Sequence, residues 1–199
     1  MRLWARCRRA TTTLPAGCAA AFALALLVGG NAVPLPALTL GGSASVQLSQ
    51  FIPVLVAAVL AFCLDTRLPA AEASGIRKVR RLDVALVLGV IVFLAGAGAL
   101  AAHSLDEPFT HPLWTLGRNT ACATGLLLLV RPWLRQAAVM VPVAMVFGVV
   151  LFGFRRPTDP YPWGFVLEPV TSPLGASACA VIAAAGVATH VLAAKKEEL

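Results

Sequence analysis

Arg118 and Asn119 are the side chains best placed to form a polar site at a membrane, because one is charged and the other carries an amide. They stand side by side near the start of an otherwise apolar stretch. An arginine at the centre of a membrane helix costs about 2.5 to 3.5 kcal/mol and needs a partner, whereas near a helix end its side chain can extend to the head groups. We therefore predict an interfacial anchor or, alternatively, an outer polar gate in which Arg118 pairs with Glu168, Asp106 or Glu107.

The histidines and cysteines are too scattered to predict a metal or catalytic centre. No two of the five cysteines have CxxC spacing, and most of them fall in or beside apolar segments, where cysteine behaves as a small hydrophobic residue. The sequence also contains no HExxH, GxSxG or P-loop motif. We predict that the chain is not an enzyme, binds no metal and uses no cofactor.

The composition is that of a membrane protein. Hydrophobic residues make up 59% and charged residues 13% of the 199 positions, and the mean hydropathy is +0.83. These values lie outside the range of soluble domains. We therefore predict that the lipid bilayer is a partner of the chain. The net charge of +7 sits in short tracts at the ends of apolar runs, without interleaved aromatic residues, which argues against nucleic acid as a partner.

Six apolar segments predict an all-α, polytopic membrane protein that forms one transmembrane helical domain over residues 1–199. The uncharged stretch 10–64 must turn near the prolines, glycines and serines of residues 34–45, because a single helix of that length would extend roughly 80 Å. The predicted helices cover about 16–33, 46–64, 84–102, 113–130, 136–154 and 172–194, with a cytoplasmic loop over 65–83. A cleaved signal peptide is the alternative for the first segment, but no small-x-small cleavage site follows Leu27.

The positive charges predict the orientation of these helices. With both termini in the cytoplasm, 13 of the 16 Lys and Arg residues lie on the cytoplasmic side, and only Arg118, Arg155 and Arg156 lie outside. We therefore predict a multi-pass protein of the cell inner (cytoplasmic) membrane.

Small residues in two of the segments predict close helix packing. Gly89, Gly96 and Gly98 would form such a face on the third helix. The Ala-rich segment 172–194 is expected to be buried among the other helices for the same reason.

The loop 65–83 concentrates charge between two apolar helices. One interpretation is a topology signal whose cations contact lipid head groups. The other is a docking surface for a soluble cytoplasmic partner, formed by Pro69, Glu72, Arg77, Arg80 and Arg81.

Several stretches resemble small actinobacterial ABC-exporter permease-like membrane proteins. They are Asp65, Pro69 and Glu72 followed by the basic run 77–81, the GRN sequence at 117–119, the RPWLR sequence at 131–135 and the YPWGFVLEP sequence at 161–169. This resemblance implies that six helices form one half of a transmembrane pathway, in a homodimer or heterodimer. It also implies that a separate ATPase docks on residues 69–81.

The leading functional prediction is the membrane-spanning permease subunit of an ABC-type export system, partnered with a cytoplasmic ATP-binding subunit. The alternative is a non-transporting membrane scaffold, regulatory subunit or immunity protein that anchors a soluble partner. A self-contained secondary carrier ranks third, because the predicted helices carry no run of carboxylates and the two halves show no convincing repeat.

Overall fold

A computed structural model describes residues 11–28, 30–65, 79–104, 110–156, 159–169 and 171–197. Within these ranges the α-helices are α1 (Thr13–Val28), α2 (Ile52–Asp65), α3 (Val79–Ser104), α4 (Thr110–Leu134), α5 (Met140–Phe152) and α6 (Pro173–Glu197). Two short antiparallel hairpins accompany them, β1 (Ala32–Ala37) with β2 (Gly42–Gln47) and β3 (Phe154–Arg156) with β4 (Asp159–Pro160). The predicted all-α class is confirmed, although the sequence did not predict the hairpins.

Four helical segments in the described part of the chain are long and apolar enough to cross a membrane. They are Leu48–Asp65, Leu82–Leu100, Leu113–Phe152 and Pro173–Ala193. Their lengths meet the requirement of about 20 apolar residues for one crossing, which indicates a membrane-associated protein. The helix α1 is apolar but has 16 residues. The six crossings and the cytoplasmic termini stay predictions.

The long stretch Leu113–Phe152 consists of two helices that fold back on each other. Arg135 has a φ of 49°, in the left-handed region that ends a right-handed helix, and the 3₁₀ turn Arg135–Val139 leads from α4 into α5. Leu126 before the turn and Met145 after it pack against the same buried cluster. The helix α5 therefore returns alongside α4, as the predicted break near residues 131–135 required.

The β1–β2 hairpin replaces helix that the sequence had predicted. The first predicted helix reached residue 33 but α1 ends at Val28, and the second was expected from residue 46 but α2 begins at Ile52. Between them Ala32 pairs with Gln47 and the register continues to the closing turn. Prolines in β1 disfavour helix, and Gly41 takes a φ of 59° that a residue with a side chain rarely adopts.

Other helix bounds differ by a few residues. The helix α3 begins at Val79, so residues 79–83 of the predicted cytoplasmic loop are helical. The helix α5 begins at Met140 instead of 136, because the 3₁₀ turn precedes it.

The helix α4 lies at the centre of the packing. Its residues Leu113, Leu116 and Leu128 belong to a buried cluster that also takes side chains from α1, α2 and α3. A second cluster joins the β1–β2 hairpin to the end of α5 through Ala37, Ala44, Val46, Val150 and Phe154. Thr39 Oγ1 donates a 2.8 Å hydrogen bond to the carbonyl oxygen of Phe154, so both hairpins lie at the same end of the molecule.

The small-residue packing predicted for α3 and α6 is present only in part. A Cβ added at Gly98 would lie 2.7 Å from the carbonyl oxygen of Leu113, whereas no described atom lies within 4 Å of one added at Gly89 or Gly96. The helix α6 was expected to be buried among the other helices, but it packs closely on α4 along one face. Its other faces are open, and Val181 is 67% exposed.

Candidate functional site

Arg118 on α4 holds a loop that crosses the end of the helix bundle. This loop, residues 161–169, is called here the clamped loop and contains the 3₁₀ segment Pro162–Leu167. The guanidinium donates hydrogen bonds to three of its backbone carbonyl oxygens, those of Val166 (3.2 Å), Glu168 (2.8 Å) and Pro169 (3.0 Å). Arginine suits this task because its five N–H groups point outward in one plane.

Asn119 extends this polar network into the protein interior. Its Oδ1 accepts a 3.1 Å hydrogen bond from Nε of Arg118. Its Nδ2 donates to Oε1 of Gln50 (2.5 Å) and to the carbonyl oxygen of Val166 (3.0 Å). Both amide side chains are buried, so these contacts satisfy groups that would otherwise be costly to remove from water. The network joins the segment before α2, the helix α4 and the clamped loop.

Glu168 takes part in the site in a different way from the predicted gate pairing. Arg118 binds the backbone carbonyl oxygen of Glu168, while the Glu168 carboxylate accepts a hydrogen bond from the Ser172 hydroxyl. Ser172 in turn accepts a 3.3 Å hydrogen bond from the Gly175 amide, which caps the start of α6. The structure thus brings Arg118, Asn119 and Glu168 together, but through the loop backbone. Asp106 lies outside the described residues, as does Glu107.

Gly175 leaves the space that the guanidinium occupies. A Cβ at this position would lie 3.0 Å from Nη1 of Arg118 and 3.1 Å from the carbonyl oxygen of Phe165. Both distances are shorter than ordinary van der Waals contact with carbon. A side chain here would therefore press on Arg118 and on the clamped loop at once.

A pocket of about 240 Å³ adjoins the clamp. The groups that line it include Ser45 and Gln47 of β2, Gln50, Thr115 at the start of α4, and Glu168. Hydroxyl, amide and carboxylate groups of this kind can bind a small polar molecule. No group of three or more His, Cys, Asp or Glu side chains that could hold a metal ion occurs among the described residues.

The other end of α4 carries a second polar contact. Nη2 of Arg131 lies 2.5 Å from Oδ1 of Asp65, the last residue of α2, and the Arg131 side chain is 9% exposed. Arg118 and Arg131 are separated by roughly 20 Å along the axis of α4, at 1.5 Å per residue. The sequence had suggested only a topology role for Arg131, so this ion pair was not predicted.

The predicted docking surface falls mostly outside the described residues. Pro69, Glu72 and Arg77 belong to the segment 66–78, which is not described. Arg80 and Arg81 lie in the first turn of α3. The docking role of these residues stays a prediction.

Sequence reasoning missed Gln50, Ser172 and Gly175. Gln50 offered a signal, because it is the last polar residue before the apolar run 51–64. Ser172 and Gly175 offered none, since serine and glycine are common at helix starts and in small-residue helices.

Comparison with known protein families, curated proteins and solved structures gave no match. The function therefore has to follow from the residues and their contacts. The resemblance of four short stretches to exporter permeases stays a prediction.

Proposed function

We propose that this chain is the membrane-spanning subunit of an ABC-type export system and that a separate cytoplasmic ATP-binding subunit drives it. The observation that carries the proposal is the clamp, in which Arg118 holds the loop 161–169 beside a polar pocket through three carbonyl oxygens. Release of the clamped loop would break these hydrogen bonds and the packing of Val166 and Phe165 in their buried cluster, but it would not unfold a helix. An outer gate needs this property.

The position of the resembling stretches supports the same proposal. The GRN sequence contributes Arg118 and Asn119, and its contacts are to the carbonyl oxygens of the YPWGFVLEP sequence. The RPWLR sequence contributes Arg131, which pairs with Asp65, and the turn at Arg135. All four stretches that resemble exporter permeases thus contribute to the polar contacts at the two ends of α4, since Asp65 belongs to the first of them.

In this proposal α4 couples the two sides of the membrane. Asp65 begins the charged loop on which the ATP-binding subunit docks, and its ion pair with Arg131 links that loop to the inner end of α4. A movement of the docking loop would reach Arg118 through α4 itself, because a helix is stiff. One end of α4 carries the ion pair with Asp65, and the other end carries the hydrogen bonds to the clamped loop. The chain supplies the pathway and the coupling, and the partner supplies the ATP hydrolysis.

The proposed arrangement has six crossings with both termini in the cytoplasm. The return of α5 alongside α4 supports it, because the 40-residue stretch Leu113–Phe152 folds into two adjacent helices, and the proposal counts each of them as one crossing. The charge distribution then places the clamp outside the cell and the Asp65–Arg131 pair at the cytoplasmic side.

The docking test compares two carboxylates on the cytoplasmic side. We expect an ATP-binding protein to copurify with the tagged chain in mild detergent and to be lost with Glu72→Ala, because a buried charged contact contributes about 2 to 5 kcal/mol. Glu198→Ala removes a carboxylate near the end of the chain and should leave copurification unchanged. Copurification that survives both Glu72→Ala and a scrambled 70–76 segment would rule out this docking surface, and complete absence of an ATP-binding protein would rule out the exporter.

A groove between α1 and α3 favours the second candidate, a non-transporting scaffold or regulatory subunit. The groove has a volume of about 720 Å³ and an almost wholly apolar lining that includes Leu14, Phe22, Leu86 and Phe93. Gly89 also lines it, and the space above this glycine is open. A partner helix would fit such a surface. In that case the copurifying protein would be another membrane protein, without an ATP-binding subunit.

A further inference from the structure

The groove between α1 and α3 is long, apolar and open at the surface of the bundle. Its volume is about 720 Å³, and its lining extends over residues 14–26 of α1 and 85–97 of α3. Each range covers about 18 Å of helix at 1.5 Å per residue. Phe93 in the lining is 60% exposed, so the groove is open along its outer side. A bilayer around the helices would therefore reach into it.

The helix α3 begins at the end of the bundle where α2 and α4 form their ion pair, which is called here the ion-pair end. Gly98, near the end of α3, lies against Leu113 near the start of α4. One turn further along α4, Gly117 lies against Ala95. The two helices are therefore antiparallel, and α3 begins beside the end of α4 that carries the contact with Asp65.

The helix α1 begins at the ion-pair end as well. After α1 the chain forms the β1–β2 hairpin, and the Leu48 amide that follows this hairpin donates a 3.1 Å hydrogen bond to the carbonyl oxygen of Asn31 before it. The end of α1 therefore lies close to the start of α2. In the first half of α1, a Cβ at Gly17 would lie 2.8 Å from Cγ1 of Val59 in the second half of α2. These two helices are thus antiparallel, and α1 begins toward the end of α2 that carries Asp65.

The sequence places basic residues at or before the start of both helices. The first turn of α3 carries Arg80 and Arg81, and four arginines precede α1 at positions 2, 6, 8 and 9. Asp83, the one carboxylate in the first two turns of α3, is 3% exposed and so presents little charge at the surface. No Lys, Arg, Asp or Glu occurs in α1 or in residues 84–104. The groove is thus apolar along its length and begins next to the basic turn of α3.

The dimensions of the groove match a hydrocarbon chain. A volume of about 720 Å³ over about 18 Å gives a mean cross-section of about 40 Å². A helix is about 10 to 12 Å wide, or about 80 to 110 Å² in cross-section, so it would rest on the groove with one row of side chains. The groove length is close to the thickness of one leaflet, about 15 Å, because the whole hydrocarbon core is about 30 Å thick. An acyl chain of one leaflet therefore fits inside the groove.

We propose that the groove between α1 and α3 binds one phospholipid with an anionic head group. Its acyl chain lies along the groove, where apolar walls on two sides give it many close contacts. Its phosphate lies at the level of the first turn of α3, whose two arginines supply the opposite charge. The binding is non-covalent, and it does not depend on the exporter proposal.

The test measures lipid binding to the purified full-length chain in mild detergent by native mass spectrometry. The probes are dioleoyl-phosphatidylglycerol, which is anionic, and dioleoyl-phosphatidylcholine, which has the same acyl chains and no net charge. We expect one phosphatidylglycerol per natural chain, bound about 10- to 30-fold more tightly than phosphatidylcholine, because two basic residues near an anionic head group contribute a factor of this size. Equal binding of the two lipids to the natural chain would overturn the proposal.

Gly89→Leu tests the chain site, because Gly89 lines the groove and the space above it is open. The leucine should fill that space and lower the affinity for phosphatidylglycerol at least about 10-fold. Gly148→Leu is the matched control, since a Cβ at this glycine of α5 also meets no described atom within 4 Å and Gly148 does not line the groove. Unchanged binding in Gly89→Leu would refute the site, as would an equal loss in both variants.

The Arg80→Gln, Arg81→Gln double variant tests the head group. It should bind the two lipids equally and keep the phosphatidylcholine affinity of the natural chain. The Arg155→Gln, Arg156→Gln variant removes the same charge from β3, where both residues are exposed, and should keep the preference. A preference that survives in the first variant, or is lost in the second, would contradict the proposed position of the phosphate.

A partner helix is the competing occupant of the groove. A membrane protein that copurifies with the natural chain, competes with phosphatidylglycerol and is lost in Gly89→Leu would show that the groove binds a helix. This result would overturn the lipid site.

Discussion

Arg118 shows why the residue type matters at this position. Its side chain reaches the carbonyl oxygens of Val166, Glu168 and Pro169 and also Oδ1 of Asn119. Hydrogen bonds from a charged donor contribute about 1.5 to 3 kcal/mol each. A lysine ammonium presents its three donors from a single nitrogen, so it cannot span acceptors spread over four residues. The anchor interpretation expected lysine to be tolerated, and the observed contacts predict the opposite.

Arg118→Lys and Arg118→Gln should both loosen the clamped loop without preventing membrane insertion. Losing one or two charge-assisted hydrogen bonds corresponds to about 10- to 100-fold less protection of the loop amides against hydrogen exchange. Arg156→Lys is the control, since Arg156 is exposed on β3 and should leave that protection unchanged. Natural protection in both Arg118 variants would show that the clamp does not hold the loop, and unchanged export activity in both would contradict the proposed gate.

At the scale of the elements, α4 and α6 are joined by direct backbone contact. They run parallel, because Arg118 lies beside Gly175, and about two turns further along both helices Gly125 lies beside Ala183. Small side chains along one face of each helix permit this approach, as is common between membrane helices. The remaining faces of α6 are free to contact lipid or a second chain.

Gly125→Ala should separate the two helices, whereas Gly148→Ala should not. The added methyl at position 125 would meet backbone atoms of Ile182 and Ala183 at 2.7 Å, and overpacking of this kind costs about 1 to 3 kcal/mol. A methyl at position 148 meets no described atom within 4 Å and should stabilise α5 by up to about 1 kcal/mol. Unfolding of each variant in detergent, measured against the natural chain, checks this. Equal effects of the two substitutions would contradict the observed approach of α4 and α6.

At the scale of the whole molecule, polar contacts gather at the two ends of the bundle. The clamp, the pocket and both hairpins lie at one end, and the Asp65–Arg131 pair joins α2 and α4 at the other. Between these ends the buried side chains of α1, α2 and α3 are mainly apolar. A bilayer favours this division, because exposing a polar group costs little free energy near the bilayer surfaces and much more in the hydrocarbon core.

Labelling of single cysteines in a cysteine-free background should place the two ends on opposite sides of the membrane. We expect Ser43→Cys and Thr158→Cys to react only from outside, and Ser74→Cys only from inside. Because both hairpins lie at the same end of the structure, a cysteine at Ser43 and one at Asp159 must share a side whatever the orientation. Labelling of these two from opposite sides would contradict the fold, while labelling of Ser74 from outside would reverse the orientation.

The sequence by itself determined the helical class, the approximate helices and the position of a polar pair, Arg118 and Asn119, near one end of a helix. A long apolar run in lipid forms a helix, because a helix satisfies its own backbone hydrogen bonds. A charged residue at the edge of such a run needs a polar group to pair with. The sequence could not identify the groups with which Arg118 and Asn119 pair. Asn119 reaches Gln50 and Val166 across 69 and 47 positions, and Cys122 shares a buried cluster with Cys179 across a similar gap. Such pairs depend on the order, direction and register in which helices pack, and only the tertiary structure decides these, because one apolar face can pack against another in many ways.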